Sequence, residues 1–336
     1  MKSYHATSGG GLASLVLREH PDPRPGAREI VMRVRANSLN ARELSVLRGT
    51  YALPVKPDVV MCADGAGEIV AVGDGVTRVK VGERVVASMF PRWHDGPFSW
   101  DVAAQLGGSI DGMLADSVVL PEDGVVRIPE HLSFEEAATL PCAGVTAWNA
   151  LFGERQLHPG DVVLTLGSGG VALFALQLAK LAGARVLATT SGEAKANRLG
   201  ELGADDVINY RDTPDWHVAV RALTGERGVD RVVEVGGGGT LEKSLRATAI
   251  GGEVAFIGRL DGGSSMIDAN VLYNSIASVR VVAAGHRAHL AALGRAMAVG
   301  HMRPLIDRVF ELADSVAAFR YFESGQAFGK VVISHG

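Results

Sequence analysis

The stretch from Val162 to Lys180 sets a short apolar run, a glycine turn and an amphipathic run in the order that a dinucleotide-binding βαβ unit requires. Val162 to Leu166 is brief and rich in β-formers, as a buried parallel strand would be. Val171, Phe174, Leu178 and Leu181 recur at helical spacing. The glycines fall where strand becomes helix. Gly167 suits a tight turn, Gly169 lets backbone N–H groups approach a pyrophosphate, and Ala172 allows close helix–strand packing, so the pattern is GxGxxA. Ser168, Gly170 and Val171 complete the turn and join Gly167 and Gly169 as expected cofactor contacts. In a chain with 42 glycines such spacing arises easily, so its surroundings decide its meaning.

The next strand, Arg185 to Thr189, runs into Thr190, Ser191 and Gly192, where NAD-preferring sites of this kind carry an acidic residue for the ribose hydroxyls. No carboxylate stands there. Thr190 and Ser191 are short donors that would not repel a 2′-phosphate, and Lys195 follows within a helical turn, so NADPH is expected ahead of NADH. An ordinary solvated helix lysine would look the same as Lys195.

Strand and helix alternate from Pro129 onward, through Trp216–Leu223, Val229–Val235, Leu241–Thr248 and Gly252–Ile257, which predicts a doubly wound parallel sheet. Residues 1–128 instead hold short β-type runs, such as Glu29–Arg35 and Gly67–Val72, between Pro- and Gly-rich turns. The fold class is therefore α/β, with a β-rich domain from 1–128 and 270–336 and a dinucleotide-binding domain from 129–269. The polar run from Leu260 to Ser265 is expected to return the chain to the first domain.

The 336 residues are 47% hydrophobic and 21% charged with a net charge of -4, enough for one large or two ordinary cores and without the basic clusters of a nucleic-acid surface. The N-terminus lacks an apolar signal core, and no stretch of membrane-spanning length is free of polar residues. Two cysteines without CxxC spacing fit a reducing compartment. A cytoplasmic protein with small-molecule partners is expected, with neither nucleic acid nor membrane.

Ordered motifs across nearly the whole chain resemble those of the medium-chain dehydrogenase/reductase superfamily, in its zinc-lacking, quinone-oxidoreductase-like branch. They are Val34–Asn40 with Arg48–Tyr51, Gly65–Gly73, Leu140–Leu151, Leu202–Tyr210, Gly228–Gly236 and Phe328–Ile333. The resemblance implies a GroES-like catalytic domain built from both ends of the chain around an inserted Rossmann domain, with a cofactor cleft between them. It places Asn40 and Ala63 where the zinc-dependent branch has ligand cysteine and histidine, with Asp64 in place of glutamate, so that only Cys142 matches a ligand position. The cysteine-rich structural-zinc lobe is missing. One thiol is not a zinc site, and no metal is expected.

A metal-free site would still pass hydride to a quinone or to an activated alkene such as an enal, enone or enoyl thioester, provided that donors meet the developing oxyanion. Tyr51 resembles the donor tyrosine of metal-free enoyl reductases; a packed aromatic is its alternative. Asn40 would bond substrate or satisfy a loop. Phe90 and Trp93, in a proline-interrupted aromatic loop, would stack a flat acceptor or anchor the loop. The resemblance adds Thr146 at the nicotinamide end and Gly236, Ile257 and Gly258 at strand ends, and Tyr210 is placed near the adenosine phosphate. It also suggests a homodimer through the edge strand Val279–Ala283. An NAD(P)-dependent alcohol dehydrogenase and a non-catalytic NADPH-binding protein are the alternative functions.

Overall fold

The computed structural model describes residues 1–259 and 266–336, so the run from Leu260 to Ser265 lies outside the described residues. The first part of the chain supplies strands β1 (Lys2–Ala6), β2 (Val16–Glu19) and β3 (Glu29–Ser38), then helix α1 (Ala41–Arg48). It continues through β4 (Val59–Val60), β5 (Asp64–Val72), β6 (Arg84–Ala87), β7 (Ser117–Pro121), β8 (Val125–Arg127) and α2 (Phe134–Ala137). Helix and strand then alternate: α3 (Val145–Phe152), β9 (Val162–Leu166), α4 (Gly170–Leu181), β10 (Arg185–Thr190), α5 (Glu193–Glu201) and β11 (Asp206–Asn209). After these come α6 (Trp216–Leu223), β12 (Val229–Glu234), α7 (Gly238–Ala247), β13 (Thr248–Phe256), α8 (Ala269–Ser275) and β14 (Ser278–Val281). The chain ends with α9 (Arg287–Val299), β15 (Ile306–Glu311), α10 (Ser315–Glu323) and β16 (Lys330–Ser334).

Contacts divide these elements into a unit of Met1–Val145 with Gly285–Gly336 and a second unit of Thr146–Ala284. The first is the β-rich, GroES-like unit. Its main sheet runs β15-β16-β3-β5-β6-β8, with β7 also on β3, and a smaller sheet runs β2-β1-β4. Most pairings are antiparallel, and β3 is buried over most of its length, with Ile30, Met32 and Val34 on one face in the core and Arg33 exposed. Gly67 is required by close approach, since a Cβ there would lie 2.0 Å from the Arg33 carbonyl oxygen on β3.

The second unit is an all-parallel, six-stranded sheet in the order β11-β10-β9-β12-β13-β14. All six residues of β12 are buried, because helices cover both faces of a parallel sheet. Trp216 and Val220 of α6 and Leu241 and Leu245 of α7 share one apolar cluster with Leu164, Leu187 and Val232 of the strands. Successive strands step outward from β9 through β10 to β11, and from β12 through β13 to β14 on the other side. The order thus reverses between β9 and β12, and the carboxyl ends of those two strands form the switch point where such sheets bind ligands.

The divisions fall at Val145/Thr146 and Ala284/Gly285, against the expected 128/129 and 269/270. Strand β14 explains the second difference. It pairs in parallel with β13, Val254 beside Val279, and so extends the nucleotide-side sheet past residue 270. On α4 the predicted apolar face holds at Phe174 and Leu178, whereas Leu181 in the last turn is exposed.

Candidate active site

On the nucleotide side, Gly167 has φ +78, a backbone conformation that favours glycine, and its N–H donates to the Thr189 carbonyl on β10 at 2.9 Å. A Cβ added to Gly169 would meet nothing within 4 Å. Gly169 is also the N-cap of the 12-residue helix α4, and no side chain caps that end. Unspent N–H groups beside open space form the cradle that a pyrophosphate needs. Ser168 is buried, while Gly170 and Val171 are half-buried.

Beyond β10 the expected donors separate. Thr190 is 1% exposed and its Oγ1 is enclosed without a partner, because the last strand residue turns into the packed sheet; this argues against the expected contact with a 2′-phosphate. Ser191 and Lys195 keep exposed surface, and Tyr210, tied to β10 by its N–H on the Thr190 carbonyl, is 42% exposed. Thr146 begins this unit and is buried.

Gly236, Ile257 and Gly258 are gathered by one residue that sequence reasoning passed over. Glu234 ends β12 with a fully buried carboxylate. Its Oε1 accepts from the N–H groups of Gly236 at 2.8 Å and Gly237 at 3.0 Å and from Thr240 Oγ1 at 2.7 Å. Its Oε2 accepts from Ser244 Oγ, and its main-chain oxygen accepts from the N–H groups of Ile257 and Gly258. The available signal was a carboxylate directly after the apolar pair Val232–Val233 and just before a run of glycines.

In the β-rich unit, Asn40 and Tyr51 are linked through helix α1. Asn40 is the N-cap, and its N–H donates to Glu43 Oε2 at 2.8 Å. The Asn40 carboxamide is spent inside the protein: Nδ2 donates to Asp64 Oδ2 at 2.8 Å, and Oδ1 accepts from Lys330 Nζ at 2.5 Å. The observed network therefore matches the loop-satisfying alternative for Asn40. Lys330, on β16, also donates to the Leu39 carbonyl at 2.6 Å and lies 3.8 Å from Asp64 Oδ2. Glu43 Oε1 accepts from Arg42 Nη1 at 2.8 Å and from the Ala63 N–H at 3.1 Å. Arg42 is buried too, bonds the Gly107 carbonyl, and rests over the Tyr51 ring 4.7 Å from its centroid. Tyr51 is half-buried and packs on the unit's core.

Two buried cations and two buried carboxyl groups thus surround Asn40, and their burial controls their chemistry. Desolvation lifts the Asp64 carboxyl to about 7, against the pull of Lys330, with Glu43 adding to the rise and the Asn40 hydrogen bond opposing it. Burial, with the charges of Asp64 and Glu43, pushes the Cys142 thiol well up, so that it is neutral near pH 7. Cys142 lies in a single π-helical turn, Leu140–Gly144.

Phe90 and Trp93 come together as an anchor. They are 2% and 4% exposed, meet each other and Phe98 edge to face, and Trp93 Nε1 donates to the Gly96 carbonyl. Trp93 also meets His286, the N-cap of α9, edge to face at 5.4 Å. This packing fits the loop-anchoring alternative for both rings, and the exposed aromatic of this segment is Trp100.

Known proteins resemble the chain along its length. Residues 26–130 match the family described as "Alcohol dehydrogenase GroES-like domain", and residues 170–298 match "Zinc-binding dehydrogenase". A zinc-type alcohol dehydrogenase-like protein of Schizosaccharomyces pombe is 38% identical over 91% of this chain and 90% of its own length. The chain belongs to the medium-chain dehydrogenase/reductase superfamily. The chloroplastic quinone-oxidoreductase QR1 of Triphysaria versicolor is 31% identical to this oxidoreductase, over 97% of this chain and 95% of its own. A solved structure of an NAD-dependent alcohol dehydrogenase superposes with a TM-score of 0.89 at 33% identity, covering 100% of both chains.

At the positions that the resemblance sets against zinc ligands, this chain carries other groups. Position 40 offers a carboxamide oxygen already taken by an ammonium, position 63 an alanine, and position 142 a thiol kept protonated by burial. Among the described residues, no three His, Cys, Asp or Glu side chains are grouped to hold a metal. Among the described residues, too, no helix is long and apolar enough to cross a membrane.

Proposed function

We propose that this medium-chain oxidoreductase uses NADPH to reduce a quinone or an activated alkene (enal, enone or enoyl thioester) without a metal. The reading is carried by positions 40, 63 and 142, where a spent amide, an alanine and a neutral thiol leave no Lewis acid to polarise an alcohol. NADPH supplies a hydride when bound. The uncapped start of α4 beside Gly169 binds the pyrophosphate, and Ser191 and Lys195 meet the 2′-phosphate. Thr146, Gly236, Ile257 and Gly258 receive the nicotinamide half. Tyr51 donates its hydroxyl to the oxyanion that builds as the acceptor gains hydride, a contribution of about 3 kcal/mol for a well-placed donor. Arg42 holds its ring.

Two copies pair through β14, which among the described residues is an edge strand of its sheet and carries Val281 at 74% exposure. A second reading, NAD(P)-dependent alcohol dehydrogenation, draws on the alcohol dehydrogenase names of relatives.

Initial rates of NADPH and NADH oxidation with quinones, enals, enones and aldehydes, measured under a strong chelator, separate the two. Chelator-resistant reduction of quinones or alkenes is expected, with Tyr51→Phe slowing turnover about a hundredfold while leaving NADPH affinity within twofold. Aldehyde-only activity abolished by the chelator would overturn the proposal, and an unimpaired Tyr51→Phe would remove Tyr51 from it.

A further inference from the structure

The carboxylate of Glu234 sits at the switch point of the parallel sheet, yet hydride transfer as described assigns it no task. Among the described residues, the Gly236 and Gly237 N–H groups and Thr240 Oγ1 converge on its Oε1 and Ser244 Oγ on its Oε2. The N-terminus of the ten-residue helix α7 points positive partial charge at the same place. The main-chain oxygen of the same residue holds the Ile257 and Gly258 N–H groups. One residue therefore fixes the ends of β12 and β13 together.

Those ends have little freedom of composition. A Cβ on Gly236 would come within 2.3 Å of Thr240 Oγ1, and one on Gly258 within 2.5 Å of the Val235 carbonyl oxygen. Gly237, at φ +110, needs the conformation open to glycine. A turn of glycines with no side chains to lock it would be loose, because glycine retains the most backbone freedom. The buried carboxylate supplies the missing constraint by taking two successive N–H groups on one oxygen.

We propose that Glu234 is the positioning residue of the nicotinamide-side subsite: it holds the Gly236–Gly237 turn and the Ile257–Gly258 strand end at the spacing that receives the nicotinamide and its ribose. This rests on the proposed cofactor reading, not on the identity of the acceptor. Glu234 acts through these backbone segments and touches no reacting atom. The adenosine half of the cofactor, met beside β10, lies outside its reach.

The test compares NADPH with adenosine 2′,5′-bisphosphate, which carries only the adenosine half, by equilibrium binding to the full chain. Glu234→Ala is expected to weaken NADPH about tenfold, the loss of charge-assisted hydrogen bonds, and to leave the bisphosphate within about twofold. Glu234→Gln, which still offers one acceptor oxygen, should recover most of the NADPH affinity; if the alanine variant fails to fold, Glu234→Met, which fills the same space without an acceptor, takes its place in the comparison. Hydrogen exchange at the Gly236 and Gly237 amides should quicken in the alanine variant and recover in the glutamine variant. Equal weakening of both nucleotides, or no weakening of either, would overturn the proposal. A parent chain that binds the nucleotides but reduces no acceptor would refute the reductase reading alone; one that binds neither would overturn both.

Discussion

Replacing Lys330 by methionine tests the charge network around Asn40 directly. The substitution keeps an unbranched chain of similar length and removes the ammonium that holds the Leu39 carbonyl at 2.6 Å, Asn40 Oδ1 at 2.5 Å and Asp64 Oδ2 at 3.8 Å. The two carbonyl-type acceptors left unpaired cost about 1–3 kcal/mol, independent of pH. The ion pair adds a cost that depends on pH. At 3.8 Å its attraction is about 4 kcal/mol for an effective dielectric constant near 20, part of which is cancelled by the ammonium's own desolvation. Asp64 has a folded-state value of about 7 against an ordinary 3.8, so the folded parent keeps that proton until about pH 7. Its contribution to stability is fully present below 3.8 and is lost as pH rises through about 7. Without Lys330 the proton is held to still higher pH. Above about pH 7 the parent's stability no longer depends on Asp64, whereas the variant's keeps falling by about 1.4 kcal/mol per pH unit. The destabilisation should therefore grow from about 1–3 kcal/mol near pH 6 to about 4–6 kcal/mol near pH 9. Urea unfolding at both pH values, followed by Trp93 and Trp100 with Trp148 and Trp216 replaced by phenylalanine, reads the β-rich unit. A destabilisation that is constant or shrinks with pH would refute the reasoning, as would growth that persists when Asp64→Asn is added.

Gly169→Val should fold with an unchanged melting temperature, since among the described residues its Cβ meets no atom within 4 Å, yet bind NADPH at least about tenfold more weakly by filling the cradle; calorimetric melting and nucleotide titration check the two halves. Lys195→Ala should weaken NADPH about three- to tenfold and leave NADH within about twofold, because only the former carries the phosphate that the lysine meets. Equal effects on both cofactors would cancel the 2′-phosphate assignment.

The nucleotide unit was legible because its signals are local. Strand β9 and helix α6 coincide with the runs read from apolar spacing, and the glycine turn lies between strand and helix as its spacing demanded. What escaped was set by partners distant in sequence. Nothing within Ser278–Val281 reveals that it pairs with β13, and that pairing moves the division between the units. The aromatic loop reads the same whether its rings face a ligand or one another; contacts with Phe98 and His286 bury Trp93. Asn40 looked available because the ammonium that occupies its oxygen arrives from position 330. Glu234 did not stand out in a strand that also carries Asp230 and Arg231, and its donors come from the turn and helix that follow.

The pairing of β16 with β3, where Val332 lies beside Ser38, orders the events of synthesis. Thr146–Ala284 is one continuous segment, so its parallel sheet can close while the ribosome is still adding residues. The β-rich unit cannot do the same, since β3 waits for a neighbour made after the whole nucleotide unit and Lys330 reaches Asn40 only then. Until β16 arrives, the edge of β3 at Ala36–Ser38 that it will cover stands open to other chains, and the buried Asp64 lacks its cation. The nascent protein is thus most exposed to misassociation in the unit that carries Tyr51, after the nucleotide unit is already folded.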